Sequence, residues 1–192
     1  PWNGRMRMNL IPQKIKKRVA HYVLQFSPKV ERLRRGSSLR QMQSMVILYT
    51  DTDEAKYKLV RDIATYIKKE FGVKRVMRVA FIDEESKFIP AWHLRKLEAD
   101  YFCKSDLNWF GRPVSNVEPL LHEPFDVLIH FDPDESVALD FFVMASKAKM
   151  KVSNHSKLRK KDYDILLPPT QGDNWRQRNH RIIQFLAESP LS

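Results

Sequence analysis

Apolar positions along the chain follow two different spacings, and the alternation between them predicts the elements. From Leu10 to Phe26 the spacing is three and four: Ile11, Ile15, Val19, Tyr22 and Phe26 form one stripe of a helix, with Lys14, Lys16, Lys17, Arg18 and His21 largely off it. Pro12 suits the first turn, and Ser27-Pro28 ends the helix because a residue before proline avoids the α region. A polar connector, ERLRRGSSLRQMQ, follows. MVILYT is then a short β-branched apolar run of the kind a buried strand carries. Asp51 and Glu54 have the spacing of a capping box for a helix that buries Tyr57, Val60, Ile63, Ala64 and Ile67 and stops at Gly72. VKRVMRVAFID gives the second strand of a βαβ unit.

The stretch from Glu84 to Pro124 is less periodic. It holds a short helical turn near Pro90–Leu97, a short strand over Ala99–Cys103, and a loop, Asp106–Pro113, whose Gly and Pro have turn chemistry. FDVLIHF is the clearest strand. Asp132-Pro-Asp-Glu135 reads as a capped helix start, for a helix facing Val137, Phe141, Ala145 and Ala148 inward. MKV and YDILLP are two further strands. Residues 175–188 form a closing helix that packs Trp175, Ile182, Ile183, Phe185 and Leu186. These elements predict a three-layer, Rossmann-like α/β domain over residues 44–192, with a mostly parallel sheet of five or six strands. A basic N-terminal arm, residues 1–43, precedes it and carries the amphipathic helix. The first residues, PWNGRMRM, lack periodicity and read as unstructured without a partner.

Charge sharpens this division. Eleven of the 34 Lys and Arg fall in residues 1–43 against one acid, Glu31, so +10 of the net +11 belongs to the arm. A smaller basic segment, residues 141–161, holds seven bases and no acid. The single cysteine, Cys103, excludes an internal disulfide. No run reaches the roughly 20 apolar residues of a membrane span, and the N-terminus lacks the apolar core of a secretory signal. The cytoplasm is the expected location, with association at the ribosome or inner membrane as its peripheral form.

The arm is the leading candidate for function. Arg5, Arg7, Lys14, Lys16, Lys17, Arg18, Arg32, Arg34, Arg35 and Arg40 could track the phosphates of RNA or the ribosome, or lie on an anionic membrane surface. Equally, the helix could dock its apolar stripe on its own domain and show solvent a basic face. A protein partner is a further possibility. A second candidate is a ligand pocket at the strand C-terminal ends, built from Asp51, Asp132 and the aromatic loop with Asp106, Asn108 and Trp109. Carboxylates there could hold Mg²⁺, but N-capping accounts for Asp51 and Asp132 without it. No Gly-rich phosphate turn follows a strand, so no nucleotide cofactor is expected, and no HExxH or similar cluster predicts a metal. His130 reads as a core histidine and Cys103 as a small buried side chain. No catalytic constellation stands out.

FCKSDLNWFGRPV, FDVLIHF, ASKAKMKVS and YDILL, in this order and spacing, resemble an uncharacterised bacterial α/β family, a domain of unknown function. Its members carry a "KDLNWFGKP"-like loop, a "FDLLIDL"-like strand and a "SKAKFKVG"-like joint. The resemblance spans about residues 10–188. It departs at His130, where the family has an acid or amide, and at Ser153, where it has glycine. It implies the fold and no activity. A weaker likeness links FDVLI, its helix and AKMKV to the N-terminal half of heptosyltransferase-type glycosyltransferases. That likeness would imply a small or degenerate enzyme holding an anionic or nucleotide-like ligand at the strand ends. The leading expectation is a non-catalytic interaction protein whose arm binds a polyanion, RNA or the ribosome before a membrane.

Overall fold

A computed structural model describes residues 11–93, 97–114, 117–154, 156, 160–168 and 170–189. Its sheet has six strands, all parallel: β1 (Ser44–Asp51), β2 (Arg75–Ile82), β3 (Ala99–Cys103), β4 (Val127–His130), β5 (Met150–Asn154) and β6 (Ile165–Leu167). Their order across the sheet is β3-β2-β1-β4-β5-β6. This is the order of doubly wound, Rossmann-like sheets, which reverses between β1 and β4. A parallel sheet is covered on both faces, so its central strands are apolar on both. In β1, Met45, Ile47 and Tyr49 enter one core and Val46 and Leu48 the other.

The first core lies under α2 (Glu54–Phe71) and α5 (Trp175–Glu188), the second under α3 (Glu118–His122) and α4 (Val137–Ala145). The turn α3 lies in the stretch whose periodicity is too weak to announce it. α2 ends at Gly72, whose φ of 72° is the left-handed cap that glycine accepts without strain. Its start differs from expectation. β1 runs on through Asp51, so the cap falls to Asp53, whose Oδ1 accepts from the Lys56 backbone N–H at 2.9 Å. Asp132 is not a cap either, since α4 begins only at Val137, after Ser136.

α1 (Gln13–Phe26) packs on the outer side of α4. The reason lies in α4 itself: Ala138 to Val143 are all buried, Asp140 being the one polar side chain among them, so the helix needs cover on its outer face as well as its inner one. α1 covers it with Ala20, Val23 and Leu24, which meet Phe141, Val137 and Met144. The stripe read from the sequence, whose direction was open, is not the face that docks. Ile15, Tyr22 and Phe26 point outward and are 47%, 64% and 62% exposed. Residues 13–43 are held at three further points. Arg32 donates two bonds to Asp164 and two to the Ala148 and Lys149 carbonyls, Arg35 N–H bonds the Lys149 carbonyl, and Leu39 and Met42 enter the first core.

Leu24→Ala should therefore cost about 2–4 kcal/mol in denaturant unfolding, as a buried leucine truncation does. Tyr22→Ser, one position pair away on the outer face, should stay within about 0.5 kcal/mol. Equal effects at the two positions would reverse the assignment of the helix faces.

Candidate functional site

In doubly wound sheets ligands bind beyond the strand C-termini where the order reverses, here between β1 and β4. Asp132 stands there, buried, and its oxygens are engaged. Oδ2 accepts from the Thr50 backbone N–H at 2.8 Å and pairs with Lys56 Nζ at 3.1 Å, and Oδ1 accepts from the Trp175 indole N–H. Lys56 Nζ also lies 5.0 Å from the centre of the Trp175 ring. The first turns of α2 and α5 thus close on Asp132, two residues beyond the end of β4. Asp51, at the end of β1, faces the α2 side and pairs with His93 Nε2 at 2.6 Å, both side chains buried. Tyr57 and Tyr101 wall this pair, with ring centres 5.2 and 5.7 Å from that of His93.

The aromatic loop lies apart from both. Asp106 Oδ2 accepts from the Cys103 backbone N–H at 3.0 Å and from its thiol. Asn108 Oδ1 accepts from the Phe110 and Arg112 N–H groups. Trp109 packs edge-on against Phe110, which reaches Phe141 of α4 and so buttresses the seat of α1. The five pocket candidates therefore fall into three separate environments. Among the described residues no three His, Cys, Asp or Glu side chains gather as a metal-binding group.

The basic residues behave differently. Arg5 and Arg7 lie outside the described residues. Lys14, Lys17 and Arg18 are exposed on α1, Lys16 half-buried. Arg40 lies with its guanidinium 5.9 Å from the centre of the Phe71 ring. Arg32 is consumed by Asp164, while Arg34, 61% exposed, approaches the same carboxylate only to 3.8 Å. What the sequence could not foretell is the meeting of the two basic segments. Lys161 Nζ donates to the Gln25 carbonyl at the end of α1. Lys29, Arg32 and Arg34 of the connector line one small cavity with Lys151 and Lys161 of the second segment. Of the second segment, Lys157 and Arg159 lie outside the described residues.

A buried polar pair sits under the β4–β5 ends: His130 Nδ1 and the Tyr163 hydroxyl are 2.7 Å apart. Burial drives the His130 imidazole down from 6.5 to about 4, against the opposing pull of Asp132 and Asp134, and burial raises the Tyr163 phenol. The folded protein thus holds His130 neutral while the unfolded chain protonates it near pH 6.5. Stability from this site is complete above about pH 6.5 and declines as pH falls toward 4, by on the order of 3 kcal/mol in total. Urea unfolding of the wild type should show that slope, and His130→Gln should flatten it between pH 6.5 and 4. An unchanged slope in the variant would exclude His130 as its source.

Neither a curated protein nor a solved structure matches the chain. A family model matches residues 15–187, from α1 to α5, and so takes in the basic helix together with the sheet. The chain belongs to that family, DUF6913, a family of unknown function.

Proposed function

We propose that this is a non-catalytic interaction protein that binds a polyanion, RNA or the ribosome, through the basic arm of residues 1–43, with residues 44–192 as its frame. The observation that carries this reading is the junction of the two basic segments. Cations far apart in the chain come together along one edge, where Lys29, Arg34 and Lys161 stand beside the end of α1. Lys14, Lys17 and Arg18 extend the row along the helix, exposed and without an ion pair among the described residues. A row of this kind releases counterions from a phosphate backbone, which gives affinity without base readout. The exposed Tyr22 and Phe26 rings, with centres 4.6 Å apart and planes tilted by 42°, add aromatic faces on which bases can stack. Such a partner sets the protein in the cytoplasm. The strand-end enzyme reading is the weaker one, because Lys56, Asp132 and Trp175 close on one another at the switch point.

One observation favours an anionic membrane surface as the second reading. Ile15, Tyr22 and Phe26 make an exposed apolar band beside the basic one, as on helices that lie in a bilayer interface.

Deleting the arm is a poor test, since Leu24, Leu39 and Met42 would leave the core. Surface charge removal is cleaner. The triple variant Lys14→Ala/Lys17→Ala/Arg18→Ala should fold normally and lose affinity for a single-stranded oligouridylate. The slope of log K against log salt should fall by about 2, near 0.7 per lost phosphate contact. Affinity and slope equal to wild type would remove the RNA reading. Binding to phosphatidylserine vesicles but not to RNA would transfer it to the membrane.

A further inference from the structure

We infer that the cavity between the α1–β1 connector and the start of β5 seats one phosphate group of the bound nucleic acid, gripped by Arg34, Lys29 and Lys151. The inference rests on the polyanion reading above and assigns its anchoring contact. Five cationic residues line the cavity, Lys29, Arg32, Arg34, Lys151 and Lys161, against one acid, Asp162. They are not equally available. Arg32 has both arms of its guanidinium engaged, on Asp164 and on two carbonyls, and serves as the wall. Arg34 is exposed and beyond hydrogen-bond distance of Asp164, so its fork is open to a second oxyanion. Lys29 is exposed and makes no ion pair among the described residues. Lys151 is buried at 3% exposure, and of its three ammonium donors one is spent, on the Val143 carbonyl.

The size of the cavity limits what can enter it. About 20 Å³ has room for one water-sized group and not for a base or a sugar. One phosphate oxygen fits inside, with the rest of the group at the mouth against Arg34 and Lys29. Cations that converge from the connector, β5 and the approach to β6 suit a tetrahedral, many-oxygen anion better than a planar carboxylate. The electrostatics agree with the geometry. Burial, and then the nearby Arg32, push the Lys151 ammonium down to about 8. Asp162 and Asp164 pull the other way and offset this only in part, so a further anion beside the ammonium would relieve it.

The test uses the full chain and inorganic phosphate, titrated at constant ionic strength against chloride and read by calorimetry and thermal unfolding. Wild type should bind phosphate saturably, with a rise in Tm that chloride does not reproduce. Arg34→Gln and Lys29→Gln, both on the surface, should each weaken the phosphate Kd by about tenfold, the loss of one charge-assisted contact. Lys151→Met should abolish binding while leaving a folded protein. A decauridylate should displace the phosphate. A response no different from chloride, or an Arg34→Gln variant with the wild-type Kd, would overturn the site. RNA binding that depends on Lys14, Lys17 and Arg18 beside a flat phosphate titration would overturn the cavity and leave the polyanion reading standing. Saturable phosphate that decauridylate cannot displace would overturn the nucleic-acid source.

Discussion

The cover that α4 requires organises the rest of the molecule. A helix of nine residues with Ala138 to Val143 all buried cannot present a polar back to water. Its inner side meets the sheet through Ala138, Leu139, Phe142 and Val143, and its outer side, Phe141 above all, meets α1. Burying side chains such as Leu24 and Phe141 is worth roughly 1.5–3 kcal/mol each. That gain draws a strongly cationic segment onto a body that is close to neutral.

Once α1 is seated, the connector has a fixed course back to β1. It passes the start of β5, where Arg32 finds Asp164 and two carbonyls, and it ends with Leu39 and Met42 in the opposite core. The course carries Lys29 and Arg34 past Lys151 and Lys161. Like charges are thus brought together as a by-product of apolar packing, with Asp162 and Asp164 as partial compensation. Packing explains why the cations meet. It does not require Arg34 and Lys29 to be exposed, and their positive charge is the part that packing leaves unexplained.

Strands and long helices were legible because their signals are local. The apolar runs of β1 and β4 and the stop at Gly72 depend on neighbours within a few residues. The inner face of α1 was not legible, because two stripes at helical spacing overlap there. Ile15, Tyr22 and Phe26 are the bulkier set, yet Ala20, Val23 and Leu24 fit against α4. Asp51 and Asp132 had the spacing of caps, but one extra strand residue and a later helix start gave them other partners. Those partners, His93 and Trp175, lie 42 and 43 positions along the chain, and nothing local announces them. The Arg32–Asp164 contact spans 132 positions and was equally out of reach, so the charge of each basic segment could be read while their meeting could not.

The long span of the α1 contacts has a consequence in time. Arg32 and Ala148 are 116 residues apart, and α1 has no seat until α4 has been made. During synthesis the basic helix therefore emerges early and waits, its apolar and cationic faces both open, while the strands between are translated. At roughly 5–20 residues per second that interval lasts about 6–24 s. Docking on α4 is the event that takes Ala20 and Leu24 out of water, and it leaves Lys14, Lys17 and Arg18 exposed as they were.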